Sequence, residues 1–127
     1  MKKVLIVDSH NFYFNIMKKI YEENGFQVVR AKTIDEGWEV VKTNGIDYFN
    51  LFVADISIET HLAGFLLAFR LKKAGFKNPI YLASHGFNIT LYYFISLGLL
   101  RPFGIQRIIP KGVFHNMHWL TLQRFFI

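Results

Sequence analysis

Two aspartates close two apolar runs: Val4-Leu5-Ile6-Val7-Asp8 and Leu51-Phe52-Val53-Ala54-Asp55. A strand covered on both faces of a parallel sheet reads as such a run. Open α/β sheets bind ligands in the crevice beyond the carboxyl ends of their strands. If the two strands are neighbours, Asp8 and Asp55 face one crevice. The plainer reading of either residue is a turn former or a helix cap, and two matching positions favour chemistry over that reading. Ser84 ends a third run, Ile80 to Ala83, and Lys111 follows a fourth, Ile105 to Ile109. Two carboxylates can hold a hard divalent ion together with waters. A carboxylate can also attack a phosphoryl group, whose oxygens a hydroxyl and an ammonium can then bind.

The elements that must position these residues alternate along the chain. Lys3 to Val7 is expected as a strand, then Asn11 to Glu23 as a helix with Phe12, Ile16 and Ile20 on its apolar face, stopped at Asn24-Gly25. A short strand from Gln27 to Ala31 precedes a helix opened by the capping box Thr33-Ile34-Asp35-Glu36, with Trp38 and Val41 buried. Tyr48 to Ala54 is the next strand. A helix from His61 to Ala74 follows, with Leu62, Phe65, Leu66 and Phe69 turned inward. A strand from Ile80 to Ala83, a largely apolar helix from Asn88 to Leu97, a strand from Ile105 to Ile109 and a helix from His115 to Phe126 complete the pattern. Five strand–helix repeats predict one α/β domain over residues 1–127: a five-stranded parallel sheet, doubly wound with five helices. The flavodoxin-like strand order 2-1-3-4-5 sets strands one and three side by side at the switch point.

Composition bounds the partners. The 127 residues are 52% hydrophobic and contain no cysteine, which supports a packed core and gives no disulfides or thiolate metal sites. The first apolar run breaks at Asp8, too early for a signal peptide, and no run approaches the roughly 18 residues of a membrane span. A cytoplasmic protein without membrane contact is expected. The net charge of +6 is unevenly placed. Residues 1–59 hold all nine acids and seven Lys or Arg, whereas residues 60–127 hold eight Lys or Arg and no acid. That asymmetry suits an acidic partner, or it is only a solvated basic face. Without a helix-turn-helix or RNA-binding motif, nucleic acid is the weaker expectation. His10 and His85 fall near the crevice rim, where a structural role is the more common one. His115 and His118 have helical spacing, but no third ligand makes them a zinc site.

The stretches Lys3 to Asp8, Leu51 to Asp55, Pro79-Ile80-Tyr81-Leu82-Ala83-Ser84 and Gly104 to Lys111 together resemble the receiver domain of two-component response regulators over nearly the whole chain. Arg101-Pro102-Phe103 imitates a motif that follows the family's fifth strand, but it sits too close to Gly98 to leave room for that strand. The resemblance implies that Asp55 is the phosphoacceptor, that Ser84 follows the phosphoryl group, and that Lys111 is the partner lysine. It implies Mg2+ held by Asp8, Asp55 and the backbone carbonyl of Ser57. Ser9 stands where the family usually carries a second, metal-ligating acid, so weak ion binding is expected. Ile108 occupies the aromatic switch position, and the loop after Asp55 is one residue longer than usual.

The expected function is a phospho-receiver rather than an enzyme. It would be charged by a histidine kinase or phosphotransfer protein and read by a downstream protein through helix four, strand five and helix five. With no output domain within these residues, its signal would leave by protein–protein contact. The alternative is a degenerate pseudo-receiver that binds a partner, or a second copy of itself as a homodimer, independently of phosphorylation.

Overall fold

The computed structural model describes residues 1–55, 63–84, 104–110, 124 and 126. The strands are β1 (Lys2–Val7), β2 (Phe26–Ala31), β3 (Leu51–Asp55), β4 (Ile80–Ser84) and β5 (Ile105–Pro110), and the helices are α1 (Asn11–Glu23), α2 (Ile34–Asn44) and α3 (Ala63–Lys73). All five strands form one sheet in the order β2-β1-β3-β4-β5, and every neighbouring pair is parallel. This is the expected order, and β1 and β3 are adjacent. Strand β5 begins directly after Gly104, as the rejection of Arg101-Pro102-Phe103 requires. The fourth helix and, apart from Arg124 and Phe126, the fifth lie outside the described residues.

Side chains alternate across the pleat and divide the core in two. On one face, Leu5, Val7, Phe52, Ala54, Ile80 and Leu82 pack against Val41 of α2 and Leu67 and Leu71 of α3. On the other, Val4, Ile6, Leu51, Val53 and Ile109 pack against α1 and Phe126. The central strand β3 is buried at all five positions, which is why its sequence is a run rather than an alternation.

Two helices present a different face from the one expected. In α1 the buried residues are Tyr13, Phe14, Met17, Ile20 and Tyr21, and Phe12 is 52% exposed. The buried arc is centred near Met17, about 140° around a 3.6-residue helix from Phe12, so the stripe Phe12, Ile16 and Ile20 meets the core through Ile20 and the half-buried Ile16 only. In α3, Leu66 and Phe69 are 60% and 50% exposed, whereas Leu67, Ala68 and Leu71 are buried. Its first turns are apolar all round, so periodicity alone left its orientation open. In α2 the capping box forms with a variation. Thr33 Oγ1 accepts from the Glu36 amide at 3.1 Å, while the Glu36 carboxylate accepts from the Lys32 amide, one residue before the cap, at 2.8 Å.

Candidate functional site

Asp8 follows β1 immediately, and its backbone is fixed from two sides. Its amide donates to the Ala31 carbonyl at 3.0 Å, continuing the β1–β2 ladder by one rung. Its carbonyl accepts from Arg30 Nε at 3.2 Å and Nη2 at 3.1 Å. The Arg30 guanidinium lies 4.2 Å from the Phe14 ring centroid, so β2 and α1 together hold the fork in place. The side chain is fixed as well, with Oδ1 accepting from the His10 amide at 2.8 Å. The turn-forming role considered for Asp8 is therefore real for this one oxygen.

Asp55 closes β3. The parallel register aligns Val7 with Ala54, so the residues that follow them, Asp8 and Asp55, end neighbouring strands at one sheet edge. Both carboxylates are out of water, Asp8 fully and Asp55 at 1% exposure. His10 caps the N-terminus of α1 in an extended conformation, without a side-chain cap bond. Its imidazole turns toward the two acids, with Nδ1 3.6 Å from Asp8 Oδ1 and 3.8 Å from Asp55 Oδ2. It also meets the Tyr13 ring edge-on at 6.0 Å. One donor atom from each of Asp8, His10 and Asp55 lies within 4.8 Å of the others. That donor set is suited to a divalent metal: carboxylate oxygens and an imidazole nitrogen close together, with the half-exposed histidine leaving a route in.

Sequence reasoning undervalued two residues here. A structural role is the more common one for a rim histidine, but His10, two residues past a strand-ending acid, reaches both carboxylates. Arg30 carried no motif at all. Ser84 ends β4 opposite Pro110, one rung beyond the Asp55–Ala83 pair, so its backbone reaches the same edge. Ser57, His85 and Lys111 lie outside the described residues.

The basic half of the chain lines a separate cavity of about 520 Å³, bounded by Lys72, Lys77, Tyr81, Gly104, Gln106 and Arg107. Lys77 precedes β4 and Gly104 precedes β5, so this cleft lies toward the edge of the sheet opposite the acids. Arg107 stacks 5.5 Å from the Tyr81 ring and donates to the Arg124 carbonyl at 3.2 Å. Among the described residues, no helix is long and apolar enough to cross a membrane.

No family model matches the chain, and no curated protein matches it in sequence. Solved structures match it in fold across nearly its full length. The non-phosphorylated HemR receiver domain from Leptospira biflexa superposes with a TM-score of 0.75 at 20% identity, covering 99% of this chain and 91% of that one. A CheY-like response regulator receiver domain protein from Methanospirillum hungatei JF-1 gives 0.71 at 23% identity, covering 98% and 89%. The chemotaxis response regulator CheY4 of Vibrio cholerae gives 0.71 at 17% identity, covering 98% and 94%. The fold is that of the response regulator receiver domains.

Proposed function

We propose that this chain is a receiver that accepts a phosphoryl group on Asp55. The observation that carries the reading is the pair of buried carboxylates, Asp8 and Asp55, ending adjacent strands at the switch point of a receiver fold. In the proposed step an Asp55 oxygen attacks phosphorus while the P–N bond of a phosphohistidine donor breaks. The imidazole leaves with the electron pair and regains a proton. A divalent ion at Asp8, Asp55 and the Ser57 carbonyl, when bound, neutralises charge between the carboxylates and the phosphoryl oxygens. Ser84 and Lys111 are assigned to the phosphoryl oxygens, and their new contacts bias the surface of helix four, β5 and helix five. Partners of this reading are a histidine kinase or phosphotransfer protein upstream and a protein effector downstream.

The test is phosphorylation by a small acyl phosphate with a divalent ion present. The wild-type chain is expected to gain the mass of one phosphoryl group, and Asp55→Asn none. An unmodified wild-type chain would reject the reading. A second reading is favoured by Ser9, which stands where receivers carry an acid: a phosphorylation-independent interaction module. It predicts partner capture that is unchanged by the phosphodonor and by Asp55→Ala.

A further inference from the structure

We infer that His10 is a metal ligand, and that it makes the Asp8–Asp55 crevice a site for a first-row transition dication rather than for Mg2+. The inference takes from the proposed function only that this crevice holds a divalent cation; it does not require phosphorylation.

The first argument is donor chemistry. Carboxylate, carbonyl and water oxygens suit Mg2+ and Ca2+, whereas an imidazole nitrogen suits Zn2+, Ni2+, Cu2+ and Fe2+. Mg2+ keeps most of its water and gains little from a nitrogen donor. Ser9 offers no carboxylate next to Asp8, while His10, one residue further on, presents Nδ1 to both acids.

The second argument is geometry. Bonds of about 2.0–2.2 Å around a tetrahedral ion place donor atoms roughly 3.3–3.6 Å apart. The His10 Nδ1 separations of 3.6 and 3.8 Å need a contraction of no more than a few tenths of an ångström; the three donor atoms all lie within 4.8 Å of one another, so the remaining carboxylate pair must close by at most about 1.5 Å to reach tetrahedral spacing. One partner of that contraction is already fixed: Asp8 is held through its amide, its carbonyl and Oδ1. Such outer-shell restraint keeps a ligand oriented whether or not the ion is present.

The third argument is charge. Two buried carboxylates balance one dication, and a neutral imidazole adds affinity without adding charge. The resulting complex would be neutral, and the half-exposed His10 side chain leaves it open to water.

The experiment is equilibrium binding of Co2+ and Zn2+ to the full chain without any phosphodonor. Co2+ is followed by visible absorption, Zn2+ by competition, and Mg2+ by thermal stabilisation. Other histidines on the chain, including His115 and His118, set a background measured in Asp8→Asn/His10→Ala protein. Above that background, Co2+ and Zn2+ are expected to bind at least about tenfold tighter than Mg2+. His10→Ala should weaken both by at least the tenfold that loss of even an outer-shell partner costs, with Mg2+ affinity unchanged. His10→Gln should behave as His10→Ala does, and unchanged circular dichroism of both variants would show that the fold survives. Zn2+ should also shift the 15N resonance of His10 Nδ1. Equal affinity for Co2+ and Mg2+, or Co2+ binding indifferent to His10, would overturn the inference. Phosphorylation of Asp55 alongside that indifference would leave the receiver reading standing. Co2+ binding through His10 on a chain that never accepts phosphate would do the reverse.

Discussion

Tyr21 shows how one buried group can set a pH limit on the whole fold. Its ring lies edge-on to Phe26 at 5.3 Å and to Phe126 at 5.8 Å, tying α1 to β2 and to a residue near the C-terminus. Its hydroxyl is buried and finds no hydrogen-bond partner among the described residues. Burial pushes the phenol well above its ordinary value; Tyr81 adds to the rise and Arg107 opposes it. The unfolded phenol ionises near 10, whereas the folded one keeps its proton. Stability from this group is therefore present below about pH 10 and is lost as pH rises further, because the unfolded state then binds fewer protons. Tyr21→Phe should flatten that alkaline loss. It should also raise stability by about 1 kcal/mol at neutral pH by removing an unsatisfied buried donor. Urea denaturation near pH 7 and above pH 10 checks both; a loss of stability in Tyr21→Phe at neutral pH would mean that the hydroxyl has a partner after all.

Helix α2 illustrates what an element's sequence reveals and what it hides. Its start was legible because the Thr33 hydroxyl and the Glu36 carboxylate act on local amides, and local chemistry is written locally. Its seating was not. Gly37, at the end of the first turn of α2, lies so close to β1 that a Cβ there would fall 2.9 Å from Val7 Cγ2, with Leu67 and Ala31 behind it. Nothing within the helix signals that Val7 is its neighbour. Gly37→Ala on an exposed helix would gain about 1 kcal/mol. Here it should cost about 1–3 kcal/mol, because α2 must lift off the sheet or Val7 must leave its rotamer. Paired with Val7→Ala, the cost should shrink, since the two changes share one contact. Thermal denaturation of the wild type, the two single variants and the double variant reads the coupling, and strict additivity would rule it out. The faces of α1 and α3 were misread for a related reason. Phe12, Leu66 and Phe69 are as apolar as their buried neighbours, and only the position of the sheet decides which side of each helix turns in. The strand ends were easier to read, because a parallel sheet buries whole apolar runs and an acid marks where the apolar run stops, although Asp8 and Asp55 are themselves buried. Crossover handedness limited the topology to a doubly wound fold, and the pairing of β1 with β3 came from taking the flavodoxin-like strand order, which the sheet has. His10 became a candidate ligand only once that pairing brought Asp55 alongside Asp8.

At the scale of the molecule, acids and bases among the described residues collect at two separate places. Asp8 and Asp55 sit at the carboxyl edge of the sheet, while Lys72, Lys77 and Arg107 line a cleft toward the opposite edge. At about 0.1 M salt the Debye length is about 10 Å, so a ligand at either edge is largely screened from the other. The two ends should therefore answer to salt and to metal independently. A short polyanion should bind the basic cleft weakly. With three cations engaged, log K should fall against log salt with a slope of roughly −2 to −3. Lys72→Gln/Lys77→Gln should bring that slope to about −1 while leaving dication binding at the acids unchanged. Fluorescence anisotropy over a salt series measures the first quantity, and the Co2+ titration measures the second. A slope indifferent to both substitutions would place the contact elsewhere on the basic half. Dication affinity that moved with them would mean that the two edges are electrostatically coupled through the sheet, and that a partner on one could regulate the other.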